Sequence, residues 1–269
     1  METDRTALLD DEAARAGMAA QEFDRAWLAE HLAEERRKAS LLGEIREAIF
    51  GAQDGLVSTL AVVSTVAGAS ADRFPVLIAG LASALAGVFS MAAGEYMSSK
   101  SQHEIFEAQI VGEREEVQER PGEAEAEMAF MFEEDGLPPD TASSMARSLA
   151  RHPSVLLKTM VEKELGLTHR LAEGSPLQGA LIMGAAFGLG AAVPVIPYVF
   201  LPIEVAIWTS LVATALVLFG IGVVKSRWTR RSWVRSGAEI LLLGAVAGIA
   251  GFLFGDILPG LLGAQPIGG

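Results

Sequence analysis

The chain has no cysteine, which excludes disulfides, thiolate metal sites and iron–sulfur ligation. Its four histidines, His31, His103, His152 and His169, show no metal-ligand spacing. There is no nucleophile–base pair, phosphate loop or redox-cofactor motif, so neither an enzyme nor an organic cofactor is expected. Positive charge is also scarce: 21 Lys and Arg face 34 Asp and Glu, a formal net charge of −13. An acidic surface repels nucleic acid and attracts cations, so nucleic-acid binding is not expected.

Long apolar stretches are what the chain has instead. Five runs, about 48–69, 75–98, 177–200, 203–224 and 237–258, reach the ~20 apolar residues that a membrane span needs. None of them contains Lys, Arg or His. The first run follows an acidic stretch far from the N-terminus, unlike a cleavable signal peptide. The expected fold is an all-α membrane protein: five transmembrane helices with a cytoplasmic helical metal-binding domain inserted between spans two and three. Small residues four apart recur at Gly51/Gly55, Gly80/Ala84, Gly184/Gly188, Gly244/Gly248 and Gly251/Gly255. Close packing within one chain and a homodimer seam both fit that pattern.

Residues 1–47 hold 12 acids and 7 bases, and residues 100–175 hold 16 acids and 8 bases. The connection after span four carries Lys225, Arg227, Arg230, Arg231 and Arg235, and Arg36, Arg37, Lys38 and Arg46 precede span one. The 69–75 connection has only Arg73, and 198–203 has no base. The positive-inside rule then puts the N-terminus, the acidic insert and the 225–235 loop in the cytoplasm and the C-terminus outside. The domains expected are an acidic helical extension (1–45), spans one and two (46–99), the insert (100–175), spans three to five (176–260) and a short tail (261–269).

In the extension, Phe23, Trp27, Leu28 and Leu32 recur at helical spacing. In the insert, span two should continue as one long helix up to Pro121. Helices should follow over EAEAEMAFMFEEDG, over DTASSMARSLARH, and from Pro153 to Gly166, before a return to the membrane at Gly174-Ser175-Pro176. Phe130, Phe132, Leu149, Val155, Leu156 and Leu157 are the expected core.

Asp54 is an acid inside a span with no base to neutralise it, which makes it a functional-site candidate. It lies seven residues past Glu47, roughly 10 Å into the bilayer, and Met91 lies eight residues before Ser99, roughly 12 Å from the same face. Glu95 is one turn nearer the cytoplasm on the Met91 face. These three residues form a candidate transport path. Asp54 can exist there either protonated or with a bound cation, the two states that proton-coupled exchange alternates between. A thioether turns an oxygen site toward later transition metals, so Fe²⁺ or Mn²⁺ fits better than Mg²⁺ or Ca²⁺. In the insert, Glu113 and Glu116 share a helix face, as do Glu123 and Glu127, and Met160 and Glu164. These pairs are candidate metal ligands, although any one such pair is more often a solvated face. Glu104 and Glu107 form a further pair nearer the membrane.

FGAQDGLVSTLAVV in span one, FSMAAGEYMSSKS in span two and LLKTMVEKELGL before span three resemble the vacuolar iron transporter family, which includes yeast and plant vacuolar iron and manganese importers and bacterial relatives. The resemblance covers roughly residues 40–260. It implies a homodimer with the ion path between subunits and proton antiport of Fe²⁺ out of the cytosol. By the same resemblance Asp54 and Met91 line the path, and Glu113, Glu116, Glu127, Met160 and Glu164 belong to the metal-binding domain. The chain departs from the plant pattern at Ser83, where those members carry an acid. It also differs in the run Glu123, Glu125, Glu127 and at Met160-Val161, one sulfur short of the family's pair. The bacterial relatives suggest the plasma membrane as its location. A membrane-anchored iron or manganese buffer or sensor is the alternative, and it predicts that losing Asp54 would leave function intact.

Overall fold

In lipid each span must pair its backbone N–H and C=O groups internally, which makes an apolar run of this length a helix. The computed structural model describes residues 24–164 and 175–261, and every element in them is helical: α1 (Arg25–Ala69), α2 (Arg73–Glu119), α3 (Pro121–Glu134), α4 (Pro139–Ala150), α5 (Pro153–Lys163), α6 (Pro176–Phe200), α7 (Ile203–Thr229) and α8 (Trp233–Leu261). Five of them, α1, α2, α6, α7 and α8, are long and apolar enough to cross a membrane. Phe23, the helix end expected at Gly166, Gly174, the tail from 262 and the side chain of Asp256 lie outside the described residues.

The chain divides into two compact units between Ile45 and Arg46. In the first, the Trp27 and His31 rings stack at 4.9 Å, and Lys38 pairs with Glu34 at 2.9 Å and with Glu35 at 3.3 Å. Trp27, Leu28 and Leu32 are exposed.

The second unit holds the spans and the insert. Asp72 caps α2, its Oδ1 accepting a hydrogen bond from Phe74 N at 3.1 Å, so the short turn returns the chain directly beside α1. The 47 residues of α2 extend about 70 Å, more than twice the ~30 Å hydrocarbon layer. It therefore carries Met91 and Glu95 in its membrane part and Glu113 and Glu116 beyond it.

Lipid is as apolar as leucine, so the spans associate through close packing and not through water exclusion. Large side chains such as Phe89, Leu189, Phe200 and Trp208 point outward, and glycines face the neighbouring helices. A Cβ at Gly51 would sit 2.5 Å from the Met183 carbonyl oxygen, and one at Gly55 would run into that of Phe187. Gly190 meets Ala52 in the same way, so α1 and α6 touch backbone to backbone. Gly184 and Gly188 receive Val88 of α2, and Gly244 receives Leu218 of α7. The small-residue pattern is thus used for packing within the chain. Gly55→Val should destabilise the membrane unit by about 1–3 kcal/mol through overpacking, measured as a lower melting temperature in detergent; an unchanged value would contradict this packing.

The interior of α6 carries Pro194 and Pro197, and the Ser210 hydroxyl of α7 donates to the Pro194 carbonyl at 2.8 Å. Buried Leu60, Val63, Val76, Val195, Tyr198 and Ala206 fill the bundle around those prolines.

Proline at the first turn opens α3, α4, α5 and α6, where its missing N–H costs no hydrogen bond. Gly136, at φ +99°, closes α3: Leu137 N bonds back to Phe132 O at 3.1 Å, a turn that requires the left-handed conformation. The core of the insert is Val117, Ala124, Met128, Phe132, Ala142, Ala146, Leu156 and Met160. Phe132 and Leu156 fulfil the sequence expectation, with Leu149 and Leu157 partly buried against them. Phe130 and Val155 are instead exposed. The inward stripe of α3 is Ala124, Met128 and Phe132 at steps of four, and Phe130, two residues away, lies on the opposite face.

Candidate functional site in the spans and the acidic helices

Asp54 sits half-buried in α1, and its backbone carbonyl accepts a hydrogen bond from Ser58 Oγ at 2.6 Å. Its carboxylate has no hydrogen bond or ion pair among the described residues. Phe187 of α6 fixes its depth relative to α2. The Phe187 carbonyl abuts Gly55, the residue after Asp54, while its ring fills the space beside Gly87, one turn before Met91. Met91 and Asp54 therefore stand within about one turn of the same level. Glu95, a turn closer to the insert, accepts a hydrogen bond from Ser99 Oγ at 2.7 Å. Met91 and Glu95 are both partly exposed. Only 11% of the most apolar stretch of α2 is buried, against 50% for α6.

The acidic helices bring Glu113, Glu116, Glu127 and Glu164 together in pairs. The Glu127 carboxyl is pushed up to about 7, first by a hydrogen bond shared with Glu116, then by burial and by the charges of Glu116, Glu164 and Glu123. Glu113 is raised by burial, by the charges of Glu164 and Glu116, and by a hydrogen bond with Glu164. Protonating one carboxyl of such a like-charged group, or placing a cation among them, relieves their mutual repulsion. Glu113 Oε2 and Glu116 Oε1 are buried and have no hydrogen-bond partner among the described residues. Glu127 and Glu164 line one open pocket of about 400 Å³ with Ala126, Phe130 and Met131.

Other expected ligands are placed differently. Glu123 turns to Arg120, which holds it at 2.7 Å and Glu116 at 3.3 Å. Met160 is fully buried in the core of the insert, one turn before exposed Glu164. Among the described residues no three His, Asp or Glu side chains lie close enough to form a ready cation cage. Sequence reasoning missed the Arg120 clamp, although its spacing of four from Glu116 and three from Glu123 is legible. Met160→Leu separates packing from ligation. A packing role predicts a stability change below about 1.5 kcal/mol and unchanged Fe²⁺ affinity; a fall in affinity without a fall in stability would make the sulfur a ligand.

Five long apolar helices, an unpaired acid in a base-free span and an attached acidic helical unit define a polytopic membrane protein built to handle cations. Residues 45–256 match the VIT family model, and the chain belongs to that family. It is 33% identical over 218 residues to vacuolar iron transporter 1 of Arabidopsis thaliana, covering 80% of this chain and 87% of that one. It is 34% identical over 223 residues to vacuolar iron transporter 2 of Oryza sativa subsp. japonica, covering 82% and 90%. A Toxoplasma gondii vacuolar iron transporter is 26% identical over 230 residues, covering 82% and 76%. The family and these relatives are transporters, not enzymes. The relatives are named for the vacuole, which overturns the plasma-membrane placement expected from the sequence. That placement rested on the resemblance to bacterial relatives, and the charge bias, which orients a chain with respect to the cytosol, carries no information about which membrane receives it.

Proposed function

We propose that the protein moves Fe²⁺ out of the cytosol in exchange for protons, with Mn²⁺ as a second substrate. The observation that carries this reading is the Asp54 carboxylate, which lies unpaired in a base-free span at the level of a methionine thioether. A proton or a divalent ion neutralises it, but not both at once, and that exclusivity couples their movements. The names of the relatives supply iron as the first candidate ion.

Glu113, Glu116, Glu127 and Glu164 collect the metal on the insert side, with Met160 beneath them and Glu123 at the rim. Glu95, Met91 and Asp54 then form the path. The lightly buried face of α2 supports a homodimer, since a partner copy would enclose Met91 and Glu95 away from lipid. Residues 100–175 act as the metal-binding domain in this reading. Reconstituted into lipid vesicles, the protein should carry Fe²⁺ across the bilayer. Binding of Fe²⁺ by the insert without flux would make it a membrane-anchored buffer or sensor instead.

A further inference from the structure

The turn between α7 and α8 concentrates positive charge in a chain whose net charge is −13. Lys225, Arg227, Arg230, Arg231 and Arg235 lie on or beside it, and the four arginines are exposed. Among the described residues none of these five makes an ion pair, whereas Lys100, Arg120, Arg147, Lys158 and Lys163 of the insert each hold a carboxylate. Trp228 and Trp233 flank the turn at 46% and 57% exposure.

The turn is anchored. Phe219 packs edge-on against Trp233 with ring centroids 6.3 Å apart. A Cβ at Gly222 would lie 2.6 Å from Gly237 Cα, so the ends of α7 and α8 touch backbone to backbone. Arg230 takes the left-handed conformation, φ 51°, that ends α7 and lets α8 begin at Trp233.

Charge bias alone orients a loop, but it does not require two exposed indoles or the absence of every acidic partner. Indole rings settle at the headgroup level of a bilayer. Guanidinium groups match phosphate oxygens with paired N–H donors. We propose that this turn is a binding site for anionic phospholipid headgroups, engaged through Arg227, Arg230 and Arg231 with Trp228 and Trp233 seated in the interface. The ligand is a phosphodiester anchored in the membrane, and the site does not depend on which ion is transported.

The test uses the full-length protein in vesicles containing brominated phosphatidylglycerol or brominated phosphatidylcholine, read by tryptophan quenching. The wild type should favour phosphatidylglycerol by at least about tenfold, because each basic residue at a membrane surface contributes severalfold. R227Q/R230Q/R231Q should lose that preference, and R227K/R230K/R231K should keep most of it. Should the glutamine variant fail to fold, the wild type at low and high salt decides: a preference that disappears at high salt supports the site. Equal quenching by the two lipids in the wild type, or a preference that survives charge removal or high salt, would overturn it. Loss of the preference to millimolar inorganic phosphate would assign the turn to soluble anions and overturn the lipid assignment.

Discussion

Asp54→Ala should abolish metal flux driven by a pH gradient while leaving Fe²⁺ binding at the acidic helices unchanged. A divalent ion leaving water for the centre of the bundle loses its hydration, and the carboxylate is the only formal negative charge that α1 offers in its apolar stretch. Removing one partner of a buried charge pair costs about 3–5 kcal/mol, so occupancy of the path should fall at least about 100-fold. Asp54→Asn separates charge from hydrogen bonding. If the carboxylate neutralises the ion, Asn fails as Ala does; if residue 54 only joins helices as a polar contact, Asn preserves flux. Fe²⁺ uptake into vesicles, with binding measured on the same preparations, distinguishes these outcomes. Flux in Asp54→Ala at the wild-type rate would remove Asp54 from the path.

The second large effect concerns protons at the acidic helices. Glu127 holds its proton up to about 7 in the fold, against an ordinary value of 4.5. Between those values the folded state binds a proton that the unfolded chain does not. The metal-free protein therefore loses stability as pH rises through that window and melts at a lower temperature at pH 8 than at pH 6. Metal reverses the order, because it competes with the proton on Glu127 and binds best when that proton is gone. Apparent Fe²⁺ or Mn²⁺ affinity should thus fall about tenfold per pH unit below 7 for each proton displaced. Glu113→Gln with Glu116→Gln should weaken binding by at least about 100-fold, since two charged ligands are lost, and should flatten the pH dependence of melting. Titration and melting of the full-length protein across pH 5–8 check both. Affinity independent of pH would mean that these carboxylates do not exchange protons for metal.

The helices were legible in the sequence because lipid leaves few alternatives. Each apolar run without a base became a span, and Pro153 opens its helix as read. By contrast, α3 and α4 begin at Pro121 and Pro139, ahead of Glu123 and Asp140 where the sequence reading started them. The level of Asp54 and Met91 could be counted from rise per residue, and Phe187 supplies the contact that the count could not name. The packing partners of Gly51, Gly55 and Gly190 were not legible, because a small residue advertises close approach without saying to what. Which acids meet was only half legible. Helical spacing aligned Glu113 with Glu116, but it paired Glu127 with Glu123, whereas the fold sets Glu127 against Glu116 and gives Glu123 to Arg120. Spacing along one helix fixes a face, and only tertiary packing decides which other helix that face meets. Phe130 and Val155 were expected inside on hydrophobicity alone, and the stripes of α3 and α5 left them outside.

The central claim is that metal and protons move in opposite directions through one path. Its most direct test records Fe²⁺ flux and internal pH together in vesicles holding the wild-type protein with a gradient imposed. The account predicts Fe²⁺ moving against the proton flow, with the gradient dissipating only when metal is present. Fe²⁺ movement indifferent to the gradient, or metal bound with no movement of either ion, would contradict it.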